Sequence, residues 1–145
     1  MVFGHWDKNN ENLLVTQSGQ IERVSQFKLL GVWIDSTMAW HAHVDFITKK
    51  AAQRLYFLKI LKRSGLAHQH LLHYYVTVIR PVLEYCSAVW SHNLTKSLSD
   101  QIEAIQKRAI RIIFEATRGM PYLFALSYAE LSSLQKHREI QAKNF

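Results

Sequence analysis

VDFITKKAAQRLYFLKILKR, residues 44–63, is the stretch that decides the fold of this chain. Its apolar residues recur every three or four positions, which is the spacing of one buried face of an α-helix. A strand would need an alternation of two, so the pattern predicts a long amphipathic helix. Ser64-Gly65 supplies its C-terminal stop. The predicted buried face consists of Val44, Ile47, Ala51, Leu55, Leu58 and Leu61.

Helical patterns continue towards the C-terminus. A second helix is predicted over about 69–79, and Pro81 breaks or kinks it because proline lacks an amide hydrogen. A further helical piece follows over about 82–90. Ser97-x-x-Asp100 resembles a capping box that begins a fourth helix, and Ser132-x-x-Gln135 begins a last one. The fourth helix would bury Leu98, Ile102, Ile105, Ala109 and Ile112.

The segment before the long helix has the composition of strands. Residues 13–15 and 21–24 flank a polar turn at 17–20, which predicts a hairpin. Residues 27–34 (FKLLGVWI) predict one more strand, apolar on both faces. The predicted fold class is α+β, a short antiparallel strand or hairpin remnant followed by a mostly α-helical bundle of about five helices. Two domains are expected, 1–35 and 36–145.

Composition limits the classes of protein. The lone cysteine, Cys86, excludes an internal disulfide and predicts a reducing intracellular compartment, nucleus or cytoplasm. No signal peptide pattern and no apolar run of ~18 residues is present, so no membrane association is predicted. The net charge is +7, and residues 36–80 carry seven basic side chains against Asp45 alone. Such a concentration is typical of a polyanion partner, although a solvated helix face would look the same.

The cationic side of the long helix is the predicted binding site. Several Lys and Arg side chains neutralise phosphates without regard to base sequence, and a tyrosine among them can stack on a base. The same composition also suits a helix face that only contacts solvent. The predicted nucleic-acid-binding residues are Lys49, Lys50, Arg54, Tyr56, Lys59 and Arg63.

The remaining reactive side chains predict no catalytic residue and no metal site. Cys86 lies among apolar neighbours, where a buried, inert thiol is expected. His41 and His43 are predicted to cap and pack. A closed zinc site needs four ligands, which the histidines of the second helix do not supply with one cysteine. Those histidines are His68, His70 and His73.

Four short motifs, in order, carry a resemblance to a known family. They are residues 27–35 with Trp40 to Val44 (FKLLGVWID and WHAHV), 54–58 (RLYFL), 79–85 with Val89-Trp90 (IRPVLEY and VW), and 102–113 (IEAIQKRAIRII). Together they resemble the reverse transcriptases of non-LTR retrotransposons (LINE elements of the jockey-like group), in the part that follows the catalytic carboxylates.

The resemblance implies a palm-end remnant over 1–35 and a helical thumb over 36–145. Leu30, Gly31 and Val32 would form a strand like the primer grip, whose backbone supports the primer end. Polymerase chemistry needs two Mg²⁺ ions held by neighbouring aspartates, and no two aspartates here are adjacent. Mg²⁺ would belong to the missing catalytic palm, so the chain is expected to have no cofactor and not to be an enzyme on its own.

The expected partners are therefore an RNA–DNA or DNA duplex, another copy of the chain, or the missing polymerase portion. No small-molecule substrate is expected. A protein-interaction module and a non-functional retroelement relic are the alternatives to a nucleic-acid-binding fragment.

Overall fold

The computed structural model describes residues 15–145, and its fold is α+β, which confirms the predicted class. This part of the chain contains four short strands and seven α-helices. The chain separates into two compact units, one ending at His43 and the other comprising Val44–Phe145. The separation lies further along the chain than the predicted division at 35/36. None of the described helices combines the length and apolar character needed to cross a bilayer.

The first unit contains two antiparallel hairpins. β1 (Val15–Thr16) pairs with β2 (Gly19–Gln20) across a two-residue turn, so a hairpin is present. Its second strand lies inside the predicted turn at 17–20, and the strand predicted over 21–24 does not form. The predicted residues 13 and 14 lie outside the described part. β3 (Gln26–Leu29) pairs with β4 (Val32–Asp35), with Leu29 opposite Val32.

The prediction of one strand over residues 27–34 is wrong, because the chain reverses in its middle. Leu30 and Gly31 both have positive φ, 48° and 85°, which two-residue hairpin turns of type I′ require. Glycine adopts this conformation without strain. The turn reverses the direction of the chain, so β3 and β4 pair with each other. Leu30, Gly31 and Val32 therefore form the end of a hairpin and not a continuous strand. The Leu30 side chain is 82% exposed.

Leu30→Asn is expected to stabilise this hairpin by about 0.5–1 kcal/mol. Asparagine tolerates positive φ better than leucine does, and an exposed apolar side chain is removed. Denaturant unfolding of the two proteins, with amide exchange in β3 and β4, measures the gain. Gly31→Ala is the opposing variant, and it should destabilise by about 1 kcal/mol. Equal stability of all three proteins would contradict the turn assignment.

The long helix forms as predicted. α1 (His41–Arg63) buries Val44, Ile47, Ala51, Leu55 and Leu58, whereas Leu61 is half-buried. At its end the amide of Gly65 donates to the Lys62 carbonyl, and the amide of Leu66 to the Leu61 carbonyl. These two bonds and the positive φ of Gly65 define a Schellman motif, so the predicted stop is confirmed.

The predicted kink at Pro81 takes the form of a widened helical turn. α2 (His68–Tyr74) continues into a π-helical turn (Tyr75–Ile79) and then into α3 (Arg80–Glu84). The extra residue in the wide turn lets the chain pass a proline that would clash with a regular preceding turn. α4 (Ser87–Trp90) follows after a left-handed residue, Cys86.

Three further helices complete the second unit. α5 (Lys96–Ile113) begins at Thr95, whose hydroxyl accepts from the Leu98 amide, so the predicted cap at Ser97 is wrong by two residues. α6 (Tyr122–Tyr128) was not predicted. α7 (Leu134–Lys143) begins at Ser133, one residue after the predicted cap.

The helices of the second unit enclose an apolar core. Four of the five predicted α5 positions are buried, and Ile112 is half-buried while Ile110 and Ile113 are buried. Cys86 is exposed, so the expectation of a buried thiol is wrong; the left-handed residue breaks the helix there. The largest fully buried side chains of the unit are Trp90, Tyr75, Leu55, Leu58, Leu71, Ile79, Leu83, Leu98, Ile102, Ile110, Ile113 and Leu134.

Candidate nucleic-acid interface

The outer face of α1 carries most of the predicted binding residues. Burial of one stripe of a 23-residue helix leaves the opposite side facing solvent, and that side carries Lys49, Lys59 and Arg63. Tyr56, 61% exposed, lies among the cations. The exposed residues of the predicted set are Lys49, Lys50, Tyr56, Lys59 and Arg63, and we call them the α1 ridge.

Two cations of the α1 ridge have intramolecular contacts that are weak. Lys49 Nζ lies 2.7 Å from Asp45 Oδ2, one helical turn earlier, and both side chains are largely exposed. Exposed pairs of this kind contribute little, typically below about 1 kcal/mol, so a phosphate can compete for the lysine. Lys50 Nζ lies 5.9 Å from the centre of the Phe46 ring. Neither contact buries the ammonium group.

Arg54 differs from the rest of the predicted set. Its side chain is half-buried, and Nη1 donates to the Val78 carbonyl in the π-helical turn. Arg54 therefore joins α1 to the widened turn before Pro81, where the helical bonding is irregular. The sequence spacing already places residue 54 beside the buried stripe. Its role in binding stays a prediction, and we leave it out of the α1 ridge.

Arg54→Met is expected to lower the free energy of unfolding by about 2 kcal/mol. Methionine keeps the aliphatic packing but leaves the Val78 carbonyl without the charged donor. Thermal and urea unfolding measure the loss. Lys59→Met is the matched control, since Lys59 is exposed and should change stability by less than about 0.5 kcal/mol. If the two variants unfold alike, Arg54 does not support the turn.

Lys62 is a second cation of α1 that serves the fold. Its Nζ donates to the carbonyl of Ile112 and lies 2.9 Å from Glu115 Oε1, so it closes the C-terminal end of α5. The hydrogen bond from Lys62 lowers the pKa of the exposed Glu115 carboxyl. Of the seven basic residues of 36–80, Arg54 and Lys62 thus have intramolecular carbonyl partners.

A buried polar network that the sequence analysis missed lies beside α5. Gln106, 1% exposed, accepts from Tyr75 Oη at 2.7 Å and donates to Tyr122 Oη at 3.0 Å and to the Ser132 carbonyl at 2.9 Å. Tyr122 Oη in turn donates to Glu103 Oε2 at 2.6 Å. The signal was available, because residue 106 is four positions after Ile102 and three before Ala109, on the buried stripe.

A second buried polar group joins α3 to α7. Glu84 Oε1 lies 2.7 Å from His137 Nδ1, and Glu84 Oε2 lies 3.8 Å from Arg80 Nε. Burial raises the pKa of Glu84, and the nearby His137 opposes that shift. The pair is intramolecular and half-enclosed, which suits a role in holding α7 against α3.

Within residues 15–145 no three side chains of His, Cys, Asp or Glu form a group able to hold a metal ion. His68, His70 and His73 are exposed, and the ring of His68 lies 5.5 Å from that of Phe114.

Comparison with known proteins gives one family match. The model of the family described as alkylated DNA repair protein alkB homolog 8, N-terminal, matches residues 40–79. The matched segment includes α1, α2 and the π-helical turn, which is less than half of the chain. No curated protein and no solved structure matches the chain significantly.

This match corrects the family and function expected from the sequence. The family found is that of the alkB homolog 8 N-terminal domain and not a reverse transcriptase family, so the retrotransposon resemblance is wrong. The primer-grip and thumb roles, the missing polymerase portion and the relic hypothesis are withdrawn with it.

Proposed function

We propose that the chain is a nucleic-acid-binding module that holds double-stranded nucleic acid through the α1 ridge. The observation that carries the proposal is the exposure of Lys49, Lys59 and Arg63 along one side of a single helix, with Lys50 exposed beside that side. Residues 49 and 63 are separated by about 21 Å at 1.5 Å rise per residue, so the row can reach several phosphates. Binding would depend on phosphates and not on base sequence.

The family match is compatible with this proposal. Residues 40–79 are similar to part of a protein described as an alkylated DNA repair protein, and the α1 ridge lies inside that segment. Tyr56 lies beside the cations, and its hydroxyl can donate to a phosphate or sugar oxygen of the duplex backbone. The proposal places the protein in the nucleus or cytoplasm. It assigns no catalytic step and no cofactor to the chain.

Fluorescence anisotropy of a labelled duplex, titrated at several salt concentrations, tests the proposal. We expect the logarithm of the association constant to fall linearly with the logarithm of salt concentration, because phosphate contacts release counterions. The triple variant Lys49→Gln/Lys59→Gln/Arg63→Gln should reduce the slope by about 2.7, at about 0.9 for each phosphate that is no longer neutralised. A DNA duplex and an RNA–DNA hybrid as separate probes would establish the preference between them.

The matched control removes the same charge elsewhere in the unit. Arg108, Arg118 and Lys136 are exposed and lie off α1, so their triple glutamine variant has the same net charge. It should keep nearly the full salt slope. Equal loss in both triple variants would show that overall charge and not the α1 ridge governs binding. Absence of binding at 50 mM salt by the folded protein would refute the proposal itself.

A further inference from the structure

The exposed side of α1 carries an apolar patch that contact with phosphates does not explain. Tyr56, Phe57 and Ile60 are 61%, 55% and 42% exposed. Ile60 lies four residues after Tyr56 and three after Phe57, so the three side chains are neighbours on the helix surface. The rings of Tyr56 and Phe57 meet edge to face, with their centres 5.9 Å apart and an angle of 70° between their planes. That contact restrains both rings. We call these three residues the α1 apolar patch.

Cations border the α1 apolar patch. Lys59 lies three residues after Tyr56, and Arg63 lies three residues after Ile60, so each of them adjoins the patch. Lys50 lies two helical turns before Phe57 on the same side of α1. All three cations are exposed, and none of them forms an ion pair with a carboxylate of residues 15–145. The patch is therefore an apolar surface among groups that can bind phosphates.

A duplex alone makes poor use of Phe57 and Ile60. Paired bases lie stacked inside a duplex, and its surface offers phosphates and sugars, to which a hydrocarbon side chain cannot donate a hydrogen bond. An unpaired base has an accessible π-face, and aromatic side chains beside cations are the usual surface on which such bases stack. The charges around the patch therefore complement those of a single strand.

A protein partner fits the α1 apolar patch less well. A stable protein–protein interface buries about 800 Å² on each partner. Three side chains that are about half exposed offer on the order of 300 Å². The cations around the patch would also repel the same face of a second copy of the chain.

We propose that the α1 apolar patch stacks unpaired bases that adjoin the duplex held by the α1 ridge. This inference rests on the proposed function, and it narrows the substrate to nucleic acid in which a duplex continues into a single strand. The ring of Phe57 is the surface on which a base stacks. Lys50 lies on the same side of α1 as Phe57, where it contacts phosphates of the single strand. Because every base has a π-face, stacking here requires no particular base sequence.

Fluorescence anisotropy of the whole chain with three labelled probes tests the inference. The probes are a blunt duplex, the same duplex with an overhang of about five thymidines, and the same duplex with an abasic overhang of equal length. The two overhangs carry the same phosphates, so a difference in affinity arises from the bases. We expect the thymidine overhang to bind at least about tenfold more tightly than the abasic one. This ratio should not change with salt concentration, because stacking releases no counterions.

Substitutions of exposed aromatic residues locate the stacking surface. Phe57→Leu keeps an apolar side chain but removes the ring, so the ratio should fall to about twofold or less. Phe57→Trp supplies a larger ring and should keep the full ratio. Phe124 is 68% exposed on α6, away from α1, so Phe124→Leu is the matched control and should also keep the full ratio.

The outcomes separate this inference from the proposed function. Salt-dependent binding of the blunt duplex with equal affinity for the two overhangs would overturn the inference and leave the α1 ridge as a duplex site. An unchanged ratio in Phe57→Leu would overturn it as well. Equal affinities together with self-association in light scattering, abolished by Phe57→Leu, would assign the patch to a second copy of the chain instead. Failure of all three probes to bind would refute the proposed function and the inference with it.

Discussion

Gln106→Leu is expected to lower the free energy of unfolding of the helical unit by about 3–5 kcal/mol, although leucine is similar in size and suits a core. The side-chain amide makes three hydrogen bonds, to Tyr75, Tyr122 and the Ser132 carbonyl. Leucine would leave these groups without that partner. Each buried polar group without a partner costs about 1–3 kcal/mol, which outweighs the gain from a more apolar side chain.

Tyr75→Phe separates the loss that comes from the unpaired Tyr75 hydroxyl from the loss that comes from the other groups bonded to Gln106. Tyr75 is fully buried, and its hydroxyl donates only to the Gln106 side chain among the described contacts. The single variant should cost about 1–2 kcal/mol. In the double variant there is no Tyr75 hydroxyl for the leucine to leave unpaired. The losses of the two single variants should therefore sum to about 1 kcal/mol more than the loss of the double variant. Urea unfolding of all four proteins measures this coupling. Simple additivity would show that Gln106 does not support the network.

The helical half of the fold could be predicted from sequence because its signals are local. Val44, Ala51 and Leu58 repeat at helical spacing, and the stop at Gly65 depends on two neighbouring carbonyls. The short helix α6 could not be found in this way. It has seven residues and is apolar on both faces, since Leu123 and Phe124 are exposed while Ala125 and Leu126 are buried, so its helical period does not stand out.

The hairpin at Leu30-Gly31 shows the opposite difficulty. Residues 27–34 are almost all apolar, and such a run contains no alternation that would mark where one strand ends and the next begins. The turn is set by two positive φ angles, one of them on a leucine, which rarely adopts such angles. A conformation disfavoured by local preference has to be selected by pairing between β3 and β4, which the sequence does not display.

The candidate nucleic-acid interface could be predicted only in part, for a similar reason. The exposed cations of the α1 ridge follow from the buried stripe, since the opposite side of an amphipathic helix faces solvent. Arg54 and Lys62 donate to the carbonyls of Val78 and Ile112. Those two bonds could not be predicted, because the positions of the carbonyls depend on the folded structure. The burial of Arg138 against Ser99 and Trp90 was not predicted either, because it depends on how α7 packs after folding.

The motifs behind the withdrawn family resemblance include many core positions. Leu55, Ile79, Leu83, Trp90 and Ile102, all taken from those motifs, are buried. Apolar residues at helical spacing are required by any helical core, so short matches among them report packing more than activity. A functional assignment needs the exposed, charged residues.

The largest pH effect is expected from His43, which the sequence analysis correctly assigned to packing. The side chain is fully buried, and Nδ1 accepts a hydrogen bond from the Trp33 amide at 3.3 Å, so the neutral ring is the form that fits. Burial lowers the pKa of His43 to about 4, whereas the unfolded chain has the ordinary value near 6.5. Between these values the unfolded state binds the extra proton.

The contribution of neutral His43 to the free energy of unfolding is therefore fully present above about pH 7. It is lost as the pH falls from 6.5 to 4, and the loss is roughly 3 kcal/mol over the whole interval. His43→Asn keeps an acceptor near the position of Nδ1 but does not titrate there, and all other ionisable groups are unchanged. Urea unfolding and exchange of the Trp33 amide at pH 7 and pH 4.5 measure the difference between the two proteins. We expect the natural chain to lose about 2 kcal/mol more than His43→Asn over that interval, because most of the titration lies within it. An equal loss in both would mean that acid sensitivity arises elsewhere, with the pair of Glu84 and His137 as the next group to test.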